Sequence, residues 1–237
     1  MYYHADDLCL SSETNSAIGK ELMLGNLDSV SVIVTTPSFN SYKTKLSAIK
    51  IPIFLHFNLT EGLALSPKES VSSLVDKDGY FLSQGKFIWR CVTRQMNTRD
   101  VWCELEAQAG ALQNLGIEVA GIDTHQHAHA FNPVSSVVYD YANDRNIECV
   151  RSYGQLKVLH PSTYLIKCAY WVMARASSPK KSPRGWREKK WRPFVMATWE
   201  KVESAPDNVV VITHPGTDFD CQVNLPKRVW RHMRRAR

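Results

Sequence analysis

Short apolar runs recur along this 237-residue chain, and several of them end in acidic or histidine residues. Four clear runs cover residues 30–35, 51–59, 117–123 and 209–213, and they are rich in valine, isoleucine and leucine. Continuous apolar runs of this length are typical of strands that are buried on both faces. Helical patterns lie between several of them, which favours a parallel sheet, either open or closed into a barrel.

The segments between these runs carry helix signals. Ser11 and Thr14 can cap a helix that places Ile18 and Leu22 on one face, and Gly25 is suited to end it. Further helices are predicted over residues 42–49, over 99–115 and after Pro133. Residues 68–87 are predicted to form an irregular surface loop.

Reactive side chains stand at the carboxyl ends of the predicted strands. A short first strand at residues 1–5 runs into two acids, and three later strands place a histidine at or near their ends: Asp6, Asp7, His56, His125 and His214. A lone histidine in an apolar run is more often a core residue than a ligand. In barrels and open α/β folds, however, these ends meet at one edge, where active sites are assembled. A further strand at 148–151 places Arg151 at its end.

Four residues at every second position surround the end of the run at 117–123: Asp123, His125, His127 and His129. Alternate residues of an extended segment point to one face, so these four are expected on one side wherever the backbone stays extended. Imidazole is the commonest protein metal ligand, and a nearby carboxylate can orient its ring. The alternative is a polar loop with surface histidines. Three histidines and an aspartate at a strand end favour a site.

Composition bounds the class of protein. A hydrophobic content of 44% supports a sizeable core, and 237 residues can form one large domain such as an α/β barrel. The six cysteines are scattered without a Cys-x-x-Cys pair, which argues against a zinc ribbon or disulfide framework and fits a reducing compartment. The sequence has no run of 18 apolar residues and no signal peptide at its start. We therefore expect a soluble, cytoplasmic protein with no membrane span.

The net charge of +6 is unevenly distributed. Residues 175–192 and 227–237 hold eight and six of the 29 basic residues, with Glu188 as their only acid. The remaining chain carries 15 basic and 22 acidic residues, so its body is mildly acidic. Like-charge blocks are usually solvated loops or tails, and we interpret the first as a loop or lid and the second as a tail. Contact with nucleic acid or another phosphate through these stretches is the less favoured alternative.

Four motifs resemble those of the YdjC-like carbohydrate deacetylases, a family that includes chitooligosaccharide deacetylases and a hopanoid-biosynthesis branch. The family's Asn-Ala-Asp-Asp-Phe-Gly-Leu-Ser is similar to His-Ala-Asp-Asp-Leu-Cys-Leu-Ser at residues 4–11. Its His-Leu-Asn-Leu-Thr-Glu-Gly resembles residues 56–62, and its Asp-Ser-His-Gln-His-x-His resembles residues 123–129. A late His-Pro matches residues 214–215. The motifs follow the family order.

The resemblance implies an irregular TIM-like (β/α) barrel, formed by residues 1–237 as a single domain. It also implies a divalent metal ion, magnesium or zinc, held by Asp7, His56 and His125. The implied substrate is an N-acetylated sugar or oligosaccharide, and the products are a free amino sugar and acetate. A homodimer is left open.

The resemblance and the chemistry of amide hydrolysis together suggest roles for the other residues. Asp6 would take a proton from water and His214 would protonate the leaving amine. The roles of Asp6 and Asp7 are not separated by spacing alone. Residues proposed to contact the sugar or to support the site are His127, His129, Asn58 and Arg151.

Some residues depart from the family pattern. His4 replaces an asparagine, and Leu8 and Cys9 replace Phe-Gly. Glycine permits backbone conformations that cysteine disfavours, so the first loop is expected to differ in shape. Only residues 225–237 remain to build a last helix, so a barrel incomplete at the C-terminus is one alternative. The functional alternatives are a catalytically weak sugar- or metal-binding relative and a binder of nucleic acid or acidic surfaces.

Overall fold

The computed structural model describes residues 2–147, 149–151, 157–158, 172, 194–196 and 210–216. The basic stretches predicted to form a lid at 175–192 and a tail at 227–237 lie outside the described residues. Their assignment, and the nucleic-acid alternative that depends on them, stay predictions.

The described elements alternate between strands and helices over much of the chain. The strands are β1 (Tyr2–Leu8), β2 (Ser29–Val32), β3 (Ile53–Phe57), β4 (Gly121–Thr124), β5 (Cys149–Val150), β6 (Lys157–Val158), β7 (Phe194–Met196) and β8 (Val210–Thr213). The α-helices are α1 (Ser12–Met23), α2 (Pro37–Leu46), α3 (Gln84–Val92), α4 (Thr98–Gln113) and α5 (Val134–Asp144). Short 3₁₀ segments cover Lys68–Ser70 and His125–Ala130.

The eight strands form one sheet in the order β5-β4-β3-β2-β1-β8-β7-β6, and every strand pairing is parallel. Neighbours in the sheet are neighbours in sequence, and β1 additionally pairs with β8. This circular order is that of a (β/α)₈ barrel and is consistent with the predicted TIM-like fold. Within the described residues, no pairing joins β5 to β6. Closure of the barrel and a single domain stay predictions.

Helices α1, α4 and α5 pack against strands of this sheet. The helix predicted over 99–115 is α4, and Val101, Leu105, Ala109 and Leu112 on it are buried, as the helical spacing predicts. In α1 the Ser11 side chain caps the first turn, as predicted, and Ile18 is buried. Among the described helices, the longest has 16 residues, and none is long and apolar enough to cross a membrane.

Two helices differ from the sequence prediction. Helix α2 was expected at 42–49 but begins at Pro37, because Thr36 accepts a hydrogen bond from the Phe39 amide and proline is favourable in the first turn. Helix α3 lies at the end of the segment predicted to be irregular. Its two buried residues, Phe87 and Cys91, are one turn apart, and two positions are too few to distinguish a helical apolar stripe in the sequence.

Candidate metal centre

The first strand is longer than predicted and contains both acidic residues of the opening motif. It runs through Asp6 and Asp7 to Leu8, and its register against β2 shifts between Ala5 and Leu8. Asp7 has φ 67°, a left-handed conformation that few non-glycine residues adopt. Neighbouring residues of a regular strand point to opposite faces. With this irregularity, both carboxylates are buried among polar side chains, Asp7 beside His56 and His125 and Asp6 beside Arg151.

Three residues predicted as metal ligands lie together at the carboxyl ends of β1, β3 and β4. The Asp7 Oδ1 atom is 3.2 Å from His56 Nε2 and 3.0 Å from His125 Nδ1. All three residues are buried, and each offers a donor atom within 4.8 Å of the other two. Strands that are paired in a parallel sheet thus bring together residues that are 118 positions apart in sequence.

The chemistry of these donors fits a divalent cation. One carboxylate and two imidazoles form a set that zinc and related metals accept, with coordination positions left for water or substrate. His56 Nδ1 lies 2.7 Å from Asp123 Oδ1, which leaves its Nε2 directed at Asp7. Metal-binding histidines usually donate their second N–H to a carboxylate or carbonyl in this way.

The electrostatics of the three side chains also favour positive charge between them. Burial would raise the pKa of Asp7, but hydrogen bonds from His125 and His56 hold it far below its usual range. Burial opposes a charge on His56, yet the carboxylates of Asp123 and Asp6 raise its pKa to about 10. The pKa of His125 is also raised against burial, chiefly by its hydrogen bond to Asp7. Stabilisation of positive charge is the property that a cation site requires.

A second polar group lies beside the first and contains Asp6, Asp123 and Arg151. The buried guanidinium of Arg151 donates to both oxygens of Asp6 at 2.6 Å, and its Nη2 is 2.5 Å from Asp123 Oδ2. Burial disfavours ionisation of Asp6, but the charge of Arg151 lowers its pKa well below the usual range. Both carboxylates are therefore paired with Arg151 and share its single positive charge. The complete burial of Arg151 favours a role in holding carboxylates over direct contact with sugar.

His4 belongs to this second group. The Ser31 hydroxyl donates to Asp123 Oδ2 at 2.6 Å, so its oxygen accepts from His4 Nε2, also at 2.6 Å. His4 Nε2 is 3.2 Å from both Asp6 and Asp123. The sequence identified His4 only as a departure from the family pattern. Its alternation with Asp6 along β1 was the available signal that the two side chains share a face.

The histidine-rich segment leaves the extended conformation after Thr124. Residues His125–Ala130 form 3₁₀ turns, with left-handed backbone at Gln126 (φ 49°) and His127 (φ 56°). The expectation that alternate positions share a face therefore does not hold beyond β4. His129 is nevertheless buried, where its amide donates to Thr124 Oγ1 and its Nδ1 contacts the same oxygen. Desolvation lowers the pKa of His129 to about 3 and that of half-buried His127 to about 4.

Asn58, predicted to bind the sugar, organises the loop after β3. Its Oδ1 accepts from the amides of Thr60 and Glu61 at 3.1 and 3.2 Å. Its Nδ2 donates to the Glu61 carbonyl and to Thr35 Oγ1. The Asn58 side chain therefore holds Glu61, a residue given no role from the sequence, at the edge of the site.

The two residues predicted to transfer protons also lie near each other. His214, which follows β8, places Nε2 3.5 Å from Asp6 Oδ2. The side chain of His214 is 21% exposed, whereas that of Asp6 is 2% exposed. His214 is therefore the member of the pair that lies nearer to solvent.

Cys9 in the first loop adopts a left-handed backbone conformation, which glycine favours. Cys9 has φ 72°, and its amide donates to Asn15 Oδ1 at 2.8 Å. Its carbonyl accepts from the Thr36 hydroxyl. Contacts to the first turns of α1 and α2 thus hold the cysteine in a left-handed conformation, and the expected difference in loop shape from the family pattern stays a prediction. Burial raises the pKa of its thiol to about 12, so it is not a nucleophile at neutral pH.

The fold and this site define an α/β protein with a candidate divalent-metal centre at the carboxyl edge of a parallel sheet. Comparison with known proteins identifies the group of proteins more closely. The chain belongs to the family described as YdjC-like protein, whose family model matches residues 2–236.

Several similar proteins are named carbohydrate deacetylase. One from Danio rerio is 32% identical over 149 residues, which cover 62% of this chain and 47% of that protein. One from Clostridium beijerinckii is 30% identical over 161 residues, which cover 65% of this chain and 61% of that protein. The chain spans about half the length of the vertebrate relatives that it matches.

A solved structure supports the fold. It is that of a protein from Enterococcus faecalis V583 described as a cellobiose-phosphate cleavage protein, with a TM-score of 0.61 and 20% identity. The likeness covers 90% of this chain and 79% of that one. At 20% identity, this likeness supports a shared fold and nothing further.

Proposed function

We propose that this chain is a metal-dependent hydrolase that removes N-acetyl groups from amino sugars or glycoconjugates. The observation that carries the proposal is the meeting of Asp7 Oδ1, His56 Nε2 and His125 Nδ1 at one buried point. The names of the carbohydrate deacetylase relatives support the reaction and the class of substrate. The donor set supports metal dependence, with zinc suited to two imidazoles and magnesium as the alternative.

A divalent metal held by these residues would acidify a water molecule and polarise the acetyl carbonyl. The protein's own contribution is to set the ligand geometry. Asp123 orients His56, and β1 places Asp7 between the two imidazoles. The adjacent carboxylates of Asp6 and Asp123 are both paired with Arg151, so neither is an unpaired buried charge.

Asp6 and His214 are the proposed pair for proton transfer. Two hydrogen bonds from Arg151 fix the plane of the Asp6 carboxylate and keep it ionised. Asp6 is therefore a weak base that accepts a proton only from a strongly acidified donor. His214, nearer to solvent and 3.5 Å from Asp6, is the proposed donor of a proton to the leaving amine.

The proposed substrate contacts differ in how accessible they are. His129 and Arg151 are buried, which favours supporting roles at the base of the site. Asn58 shapes the loop after β3 through its amide group. His127, which is only half-buried, is the member of this set best placed to contact a sugar.

The test measures acetate. Metal-stripped protein is reloaded with one equivalent of zinc or magnesium and incubated with N-acetylated sugars, from monosaccharides to oligosaccharides. We expect acetate release that is lost after chelation and in Asp7→Ala, and that is retained in Glu69→Gln, an exposed acid in the 3₁₀ segment Lys68–Ser70. Stoichiometric metal binding without acetate from any sugar would contradict the proposal and favour a catalytically weak metal- or sugar-binding protein.

A further inference from the structure

We propose that Glu61 is a positioning residue for His125, the counterpart of Asp123 at His56; this rests on the proposed metal site. The sequence places Glu61 in the loop after β3 but gives no reason to connect it with a histidine 64 positions later. In the structure its carboxylate lies beside the one nitrogen of His125 that does not face Asp7.

The two histidines are flanked in the same way. His56 has Nε2 3.2 Å from Asp7 Oδ1 and Nδ1 2.7 Å from Asp123 Oδ1. His125 has Nδ1 3.0 Å from Asp7 Oδ1 and Nε2 3.4 Å from Glu61 Oε1. Each imidazole therefore has one nitrogen facing the shared carboxylate and the other facing a second carboxylate.

This arrangement selects a tautomer for each ligand. An imidazole binds a metal through a deprotonated nitrogen, and its other nitrogen then carries the proton and donates it in a hydrogen bond. Asp123 thus directs Nε2 of His56 to the centre, while Glu61 directs Nδ1 of His125 there. Without Glu61, His125 would keep its contact with Asp7 but lose the acceptor that holds the proton on Nε2.

Glu61 is itself held on both its backbone and its side chain. Asn58 accepts from its amide at 3.2 Å and donates to its carbonyl at 2.6 Å. The Gln126 side chain donates to Glu61 Oε1 at 2.6 Å, from the residue next to His125. The carboxylate therefore links the loop after β3 to the loop after β4.

Glu61 and Asp123 differ in how far their side chains are exposed to solvent. The Glu61 side chain is 49% exposed, whereas that of Asp123 is fully buried. A change at Glu61 should leave the fold intact, because a half-exposed side chain is solvated once its partners are removed. Glu61 therefore allows positioning to be tested apart from stability.

The experiment is a calorimetric titration of the metal-free full chain with Zn²⁺. We expect Glu61→Gln to bind about 10- to 100-fold more weakly than the wild-type chain, the usual effect of removing a carboxylate that orients a metal-binding histidine. Glu69→Gln, at an exposed acid in the 3₁₀ segment Lys68–Ser70 between β3 and α3, should bind as the wild-type chain does. Glu61→Asp should recover part of the loss. With Co²⁺ in place of Zn²⁺, the visible absorption spectrum should change in Glu61→Gln and not in Glu69→Gln.

Three results would overturn the positioning role: equal Zn²⁺ affinity in Glu61→Gln and the wild-type chain, an unchanged Co²⁺ spectrum, or a lowered unfolding midpoint of metal-free Glu61→Gln. Failure of the proposed function is separate, since it is an absence of acetate release from metal-loaded wild-type protein. Weaker metal binding in Glu61→Gln together with no acetate release would support the positioning role and reject the deacetylase.

Discussion

His56 donates a hydrogen bond from Nδ1 to Asp123 Oδ1 across 2.7 Å, and its opposite nitrogen lies 3.2 Å from Asp7. The Asp123 carboxylate also accepts a hydrogen bond from Ser31 and pairs with Arg151. It therefore connects the candidate metal centre to the second polar group, which contains Asp6 and Arg151. The orientation of His56, a proposed metal ligand, and the pairing of the buried Arg151 charge thus both involve the Asp123 side chain.

Asp123→Asn should therefore impair both stability and metal binding. Arg151 would lose one of its two carboxylate partners, and loss of a buried partner costs about 3–5 kcal/mol. Metal affinity should fall about 10- to 100-fold as His56 loses its orienting carboxylate. Urea unfolding and zinc titration measure the two effects. Asp78→Asn, on an exposed turn, is the matched control, and equal behaviour of the two variants would contradict the prediction.

The buried pair of Arg151 and Asp6 should be strongly coupled. A double-mutant cycle with Arg151→Met and Asp6→Asn should give a coupling free energy of unfolding of about 1–3 kcal/mol. Both hydrogen bonds are 2.6 Å long, and the two side chains are at most 2% exposed.

The chain supplies a matched control for this cycle in the exposed pair of Arg145 and Glu106, 2.8 Å apart. Because both of these side chains are more than 40% exposed, their coupling in a cycle with Arg145→Met and Glu106→Gln should stay below about 1 kcal/mol. Similar coupling in the two cycles would show that burial does not strengthen the Arg151–Asp6 pair.

The sequence was sufficient to predict that reactive residues meet at strand ends. β-branched runs identify buried parallel strands, and a parallel sheet forces their carboxyl ends to one edge, so Asp7, His56 and His125 could be grouped in advance. Their assignment as ligands came from the family resemblance and stays a prediction.

Local backbone detail could not be predicted in the same way. Left-handed conformations at Asp7, Cys9 and Gln126 are imposed by tertiary contacts against the ordinary preference of these residue types. Glu61 and His125 both lie beyond the ends of their strands, where alternation no longer sets the direction of a side chain. Their contact therefore could not be predicted from the sequence. The contacts that His4, in β1, makes with serine side chains of β2 could not be predicted either, because they depend on the register between the two strands.

Gly121 should be intolerant of a side chain. A Cβ built there would lie 2.3 Å from the Phe54 ring and 2.8 Å from Cys149 Cβ. Gly121→Ala is therefore expected to cost about 1–3 kcal/mol of unfolding free energy, because β4 is packed between β3 and β5.

Gly110, in the interior of α4, provides the opposite case. A Cβ there meets no atom within 4 Å, so Gly110→Ala should stabilise the protein by about 0.5–1 kcal/mol through helix propensity. Thermal and urea unfolding of the two variants measure both changes. Destabilisation by Gly110→Ala, or none by Gly121→Ala, would contradict this account of the packing.

His129 should make the stability of the metal-free protein depend on pH. Its pKa is lowered by desolvation to about 3 in the folded state, against 6.5 as its ordinary value. Between these two values the unfolded chain binds a proton that the folded chain does not, so the contribution of His129 to stability is full above pH 6.5 and declines as the pH falls towards 3.

The measurement compares the wild-type chain with His129→Gln by urea unfolding at pH 7.5, 6.5, 5.5 and 4.5. Removing one such group should reduce the slope of unfolding free energy against pH below 6.5 by about 1.4 kcal/mol per pH unit. His127 and His56 titrate in both proteins, so their contributions cancel in the difference. Parallel curves for the two proteins would show that His129 is able to take up a proton in the folded state, and that its burial against Thr124 does not keep it neutral.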